Sequence, residues 1–478
     1  MRSRLGEAIV LFMGTLYAGL FSFISFRRHD VFQTWAMDLG NMDKAVWNTL
    51  HGSILGFTNQ PGVTTRLGIH FEPTLILISP IYLLWSDPKA LLLLQSVLLA
   101  SGALPVYWLA KRELKNELAA LVIAAAYLLF PSLEAVNLAE FHTVALSAPL
   151  LLWAIHFASR DRWLAFSVAS LLAAGTKEEV GIVVALLGVY LAISERKYPP
   201  LIVGIAGAVW SLIAIVVVIP SFNPTHTSPY TGYYSYLGTN LVAVAINLLS
   251  HPWIPAQKAL GEPKYLESLL FPSGYLALLS PERLLIGLPS FFVNILSVNG
   301  EMQRPNLYHY TAPLIPAILF ATTGGIRRAT AILSRVGVPA GIALTLAMAL
   351  SLGCTVLYQR DEGFTPLAAS FSVPSLTPHD RIGYEVMQKV PKDVSLSVHS
   401  DLNPHLSQRQ KLYVFPRVED AEYVLMDRYR DSSSRDVFLV PSDGHRERLR
   451  VLDELIGSGK WDVLVDLDGY VLLKRKGA

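Results

Sequence analysis

Long apolar runs alternate with short polar breaks over residues 6–357. The clearest runs are 6–26, 90–110, 200–220 and 337–357. Each is about 20 residues long, the length an α-helix needs to cross a ~30 Å hydrocarbon core. Shorter or more polar runs at 117–133, 143–158, 163–175, 178–194, 265–280, 283–298 and 309–325 bring the expected count to about eleven spans. Pro73–Trp85 is too short to cross easily and is expected to lie as a helix at the interface. Trp163–Ile193 poses the opposite problem, because as a single helix it would be about 46 Å long. Lys177-Glu178-Glu179 stands in its middle, so a break at Gly175-Thr176 is expected. Between the first two spans, Met42, Ala45, Val46, Thr49 and Leu50 recur at helical spacing, with Asp43, Lys44, Asn48 and His51 opposite. That pattern predicts an amphipathic helix over Leu39–His51, lying at the interface.

Beyond Tyr358 the pattern changes. No apolar run long enough to span follows, and charged residues become dense. Short strands are expected at Val394–Val398, Lys411–Val414, Tyr423–Met426, Val437–Val440, Val463–Asp466 and Tyr470–Leu473, and a helix at His445–Ile456. Asp466-Leu-Asp-Gly469 predicts a tight hairpin turn between the last two strands. The chain is therefore expected to be a polytopic α-helical membrane protein with a membrane domain at 1–357, including a first outer loop at 27–89. A small soluble α/β domain follows at 358–478.

Composition agrees with this division. Of 478 residues, 52% are hydrophobic and only 16% charged, against about a quarter charged in soluble domains. Net charge is +2, which gives no reason to expect nucleic acid. The single cysteine, Cys354, excludes an intrachain disulfide. Arg2 and Arg4 precede the first apolar run, which reads as a retained signal anchor. The positive-inside rule then places the N-terminus in the cytoplasm of a plasma-membrane protein. Lys111/Arg112/Lys115, Arg160/Arg162, Arg196/Lys197, Arg283 and Arg327/Arg328/Arg335 fall on the same side. The C-terminal domain is extracytoplasmic on this scheme.

Residues with chemical potential collect on the other face. Asp38 and Asp43 stand in the first outer loop; they could be a helix cap and a first-turn acid, or one could be a base. Five positions apart on a helix is about 500°, so the two share no face. Arg66 and His70-Phe-Glu72-Pro73 follow, where Glu72 could compensate a helix dipole or ligate a divalent cation. Oxygen-rich sites of that kind favour Mg2+ or Mn2+. Glu140-Phe-His142 reads either as a helix start with an interfacial histidine or as a polar pair turned inward. Lys177-Glu178-Glu179 could be a self-neutralising ion pair or a phosphate contact. Tyr230, Tyr233, Tyr234 and Tyr236 offer stacking surfaces for a sugar or an aromatic belt. Arg304 and His309 could hold an anion. In the tail, Ser400-Asp401-Leu-Asn403-Pro404-His405 and Arg409 follow the first strand, as a pocket or a simple turn. No Walker A, GxGxxG, HExxH or GxSxG motif occurs, and no internal repeat suggests an inverted-repeat transporter.

Several separate motifs together resemble the membrane protein family known as domain of unknown function 2079. They are Asp38-Leu-Gly-Asn-Met-Asp-Lys-Ala-Val-Trp-Asn, His70-Phe-Glu-Pro, Glu140-Phe-His, Lys177-Glu-Glu, His309-Tyr-Thr-Ala-Pro and Asn403-Pro-His. More distantly, the layout is similar to the GT-C glycosyltransferases, such as protein mannosyltransferases and the aminoarabinose transferase. That likeness implies transfer of a sugar from a polyprenyl-phosphate donor to a glycan, lipid or protein acceptor at the outer face, among membrane lipids. Asp38 would be the catalytic base. Asp43, Arg66, His70, Glu140, His142, Lys177, Glu178 and His309 would bind substrate, and Glu72 would ligate a metal if one is used. The first loop departs from those enzymes in having no Asp-Glu or Glu-Asp pair. A transporter or flippase for a lipid-linked or anionic solute, or an envelope scaffold, are the alternatives.

Overall fold

The computed structural model describes residues 2–431 and 444–477. Four helices among them are long and apolar enough to cross a membrane: Arg4–Asp30, Pro88–Leu114, Pro199–Phe222 and Ala340–Glu362. They coincide with the four clearest apolar runs. A fifth span arises if Glu117–Leu128 and Pro131–Leu138, bent by 41°, count as one. Thr143–Ala158, Trp163–Ala174 and Val180–Glu195 are apolar but shorter. Length and composition thus give a multi-pass bundle without reaching eleven spans.

Two expected spans are replaced by short pieces. The run 265–280 becomes the helix Pro263–Leu270 and two 3-10 turns, Phe271–Ser273 and Leu276–Leu279. Pro272 and the left-handed pair Gly274 and Tyr275 interrupt it. The run 283–298 becomes Pro281–Leu284, a 3-10 turn at Leu285–Gly287 and Leu288–Ile295, with Pro281 and Pro289 opening the two helices. Eight-residue helices are about 12 Å long and reach less than halfway across the core. The run 309–325 starts later than expected, as the helix Ile315–Arg335.

The break at Gly175-Thr176 is present: one helix ends at Ala174 and the next begins at Val180. The segment expected at the interface docks on it. Thr74–Ile78 is helical and continues as a 3-10 turn over Ser79–Leu83. Thr74 donates its backbone N–H to Gly175 O (3.0 Å) and its hydroxyl to Leu172 O (2.9 Å). A Cβ on Gly175 would stand 2.6 Å from that hydroxyl, so the approach needs glycine.

The C-terminal sheet has strands β1 (Leu396–Val398), β2 (Leu412–Val414), β3 (Tyr423–Asp427), β4 (Trp461–Leu467) and β5 (Tyr470–Arg475). Their order is β2-β1-β3-β5-β4. The first three strands pair parallel, while β5 pairs antiparallel with both β3 and β4. Asp468 (φ 49°) and Gly469 (φ 83°) turn the β4–β5 hairpin, as the Asp-Gly pair predicts. The expected helix runs Gly444–Gly457. A second helix, Pro378–Met387, opens with a capping box between Thr377 and Asp380. The strand expected at Val437–Val440 lies outside the described residues.

This domain does not stand apart from the bundle. Its 3-10 segment Ser400–His405 packs against the first loop. His405 stacks on His29 with ring centroids 3.9 Å apart, and Phe32 enters the domain's apolar core. The expectation for Leu39–His51 changes accordingly. The helix is Asn41–Leu50, and its polar face is covered: Asp43, Lys44 and Asn48 are all buried. Lys44 Nζ donates to the carbonyls of Arg409 (2.5 Å) and Gln410 (3.0 Å). The face patterned for water is met by polar groups of the C-terminal domain.

Candidate functional site

Asp38 lies in a π-helical turn, Ala36–Gly40, just before the buried helix. Its carboxylate caps no helix. The caps come from far along the chain: Glu140 Oε2 accepts the backbone N–H groups of Trp35 (3.2 Å) and Leu39 (3.0 Å). Asp38 is thereby left to side chains. Its Oδ2 accepts the Trp35 indole N–H (2.5 Å), and its Oδ1 is 3.1 Å from His142 Nε2. Its side chain is 28% exposed, against 8% for His142.

Glu140 adopts φ 63° and is buried. Burial, and then the nearby Asp38 charge, hold its carboxyl well above the usual range, although the two N–H groups oppose them. Gln95 fixes this corner. It donates to Glu140 O (2.7 Å) and accepts the His142 N–H (2.9 Å).

From His142 a continuous set of rings and charges extends. His142 stacks on His309 at 3.5 Å, and His309 lies 4.3 Å from the Tyr310 ring. Lys177 Nζ stands 5.7 Å from that ring and 3.0 Å from Glu179. His70 stacks on Tyr230 at 4.6 Å, and its Nδ1 is 2.9 Å from Glu178. His309 lies within electrostatic reach of both Lys177 and His70, so these groups share one region. Asp38, Glu140, His142, Lys177, Glu178, His70 and His309 are thus brought together from four separate loops.

Asp43 is not among them. Its carboxylate is buried and accepts hydrogen bonds from Tyr82, Ser407 and Gln408. Burial pushes its pKa up to about 6 against those three bonds. Arg66 and Glu72 form a buried pair, with Nε 2.8 Å and Nη2 2.5 Å from the same carboxylate oxygen. Glu72 therefore fits the metal role poorly. Among the described residues no group of three or more His, Cys, Asp or Glu is arranged to hold an ion.

Sequence reasoning missed Trp35 and Gln95. Trp35 stands three residues before Asp38 and offers an indole donor. Gln95 is a lone amide in the apolar stretch Leu91–Leu99. A polar group inside a span, which must be satisfied by the protein, was the available signal.

The chemistry follows from the donor set. Asp38 offers a partly exposed carboxylate, oriented on both oxygens, that can take a proton from a hydroxyl placed against it. Among the described residues Lys177 pairs only with Glu179, leaving two ammonium donors for an anion.

The fold is similar to that in the crystal structure of ArnT from Cupriavidus metallidurans in the apo state. The TM-score is 0.52 at 13% identity, with 97% of each chain covered. No curated protein matches the sequence. The family model described as "Predicted membrane protein (DUF2079)" matches residues 28–472, and the chain belongs to that family.

Proposed function

We propose that this protein is a GT-C-like membrane glycosyltransferase that uses a polyprenyl-phosphate-linked sugar at the outer face of the plasma membrane. The observation that carries the proposal is Asp38: a carboxylate relieved of capping by Glu140, held by Trp35 and His142, and still partly open. The resemblance in fold to ArnT, a membrane glycosyltransferase, supports the class of reaction. In the proposed step Asp38 accepts the proton of an acceptor hydroxyl. That oxygen attacks the anomeric carbon, the carbon–oxygen bond to the phosphate breaks, and polyprenyl phosphate leaves with the bonding electrons. Lys177 borders the region where the phosphate would sit, with the imidazoles of His70 and His309 beside it, and a fixed cation in a poorly screened site stabilises such a leaving group. No step is assigned to a metal.

The test is incubation of purified protein with labelled polyprenyl-phosphate sugars, scoring label transfer or release. Wild type should release label and Asp38→Asn should lower the rate roughly 10²–10⁴-fold, the usual contribution of a positioned base. An Asp38→Asn protein as active as wild type would sink the assignment. Passage of the intact lipid-linked sugar across a bilayer, without bond cleavage, would replace transfer with transport.

A further inference from the structure

A second polar site lies at the opposite end of the bundle. The helix Arg4–Asp30 leads away from that end to the Asp38 loop, and Pro88–Leu114 returns to it. Between the ends of Ala103–Leu114, Ser147–Ala158 and Val180–Glu195 is a cavity of about 320 Å3. Its inner wall is apolar and buried, formed by Leu109, Ile155 and Leu191. Its rim carries three guanidinium groups, Arg112, Arg283 and Arg327, against two carboxylates, Glu113 and Glu195.

The internal pairing leaves positive charge over. Arg283 and Glu113 form a two-pronged pair at 2.8 and 2.9 Å. Arg283 is nine-tenths buried, and its Nε has no hydrogen-bond partner among the described residues. Arg327 pairs through Nε, at 2.9 Å from the same Glu113, and its terminal nitrogens make no hydrogen bond among the described residues. Among the described residues, the exposed Arg112 bonds only the Ser159 carbonyl. Arg160 and Arg162 act together with Arg112 on His156 and deepen the positive field. A planar guanidinium with two unused nitrogens matches a phosphate oxygen pair. Basic pockets between membrane helices suit anionic headgroups, and an apolar wall beneath a cationic rim suits a lipid better than a free ion.

We propose that this cavity binds the phosphodiester headgroup of an anionic membrane phospholipid, with Arg112 and Arg327 as phosphate ligands. The Leu109, Ile155 and Leu191 wall receives the first methylenes of its chains. The site is independent of the transferase reading and requires no activity to test. Purified protein in detergent is titrated with phosphatidylglycerol, phosphatidylcholine or inorganic phosphate, with retained lipid counted by native mass spectrometry and the melting temperature followed in parallel. Wild type should retain phosphatidylglycerol over phosphatidylcholine. Arg112→Gln/Arg327→Gln should bind phosphatidylglycerol about tenfold more weakly, the loss expected for charge-assisted hydrogen bonds. Glu195→Gln, which removes a rim carboxylate, should bind it more tightly. Both arginines are on the surface, so the variants should melt like wild type without lipid. Equal retention of the two lipids, or a double variant that binds like wild type, overturns the site. Protection by inorganic phosphate as strong as that by phosphatidylglycerol overturns the lipid assignment.

Discussion

At the scale of residues, four carboxylates in the loops between the apolar helices have four different fates. Asp38 is held by side chains and stays partly open, Glu140 caps backbone, Asp43 is sealed under the C-terminal domain, and Glu72 is locked on Arg66. Two predictions follow from their partners. Glu140→Ala leaves the Trp35 and Leu39 N–H groups without their acceptor and should cost about 1–3 kcal/mol, read as a lower melting temperature. Glu140→Gln, which keeps an acceptor oxygen, should recover part of it. Asp43 has a native pKa of about 6 against an ordinary 3.8. The native state therefore holds the proton more tightly than the unfolded state, and stability falls as pH rises from about 4 to 6, then levels. In Asp43→Asn that fall should vanish from melting curves across the same window. An Asp43→Asn protein with the wild-type slope would exclude Asp43 as its source.

At the scale of elements, the π-helical turn Ala36–Gly40 is fixed by close approach. A Cβ on Gly40 would come within 2.3 Å of Asn403 Oδ1. Asn403 is itself buried and bonded to Asn59, so it has little freedom to yield. Gly40→Ala should cost about 1–3 kcal/mol through overpacking. If Asp38 is the base, it should also lower turnover more than substrate affinity. The segment 66–72 depends on its buried ion pair instead. Glu72→Gln strands the Arg66 charge and should destabilise by about 3–5 kcal/mol, measured by denaturant or heat. A variant of unchanged stability would show that Glu72 is available for another role.

At the scale of the whole molecule, the C-terminal domain and the loop between the first two long helices form one unit. His405 lies at their junction, stacked on His29 and bonded to its carbonyl at 3.0 Å. Burial drives its pKa down to about 3. A histidine held neutral in the native state contributes stability that is lost as pH falls below its ordinary 6.5. Hydrogen-exchange protection of residues 400–410 should therefore decline on acidification, and in His405→Phe the decline should be smaller, with the buried His399 beside the segment supplying the rest. Asp43 acts with the opposite sign, so the two are separated by comparing each variant with wild type.

The candidate site was legible in the sequence to the extent that its residues carry uncommon charge beside apolar runs. Asp38, His142, Lys177 and His309 stand out on that ground alone. Their mutual arrangement was not legible, because Asp38 and His142 lie 104 positions apart and meet only in the fold. Trp35 and Gln95 carry no charge and gave no comparable signal.

The sequence by itself determined the four long spans, the break at Gly175 and the β4–β5 hairpin. Each depends on hydrophobic run length or turn chemistry within about 20 residues, which neighbours along the chain decide. Tertiary structure decided which end of a polar pattern meets water and which acid does which work. The face of Asn41–Leu50 patterned for solvent is buried because residues 407–410, more than 350 positions away, supply its partners. A carboxylate's role is set by the donors and burial around it, and those come from wherever the chain returns.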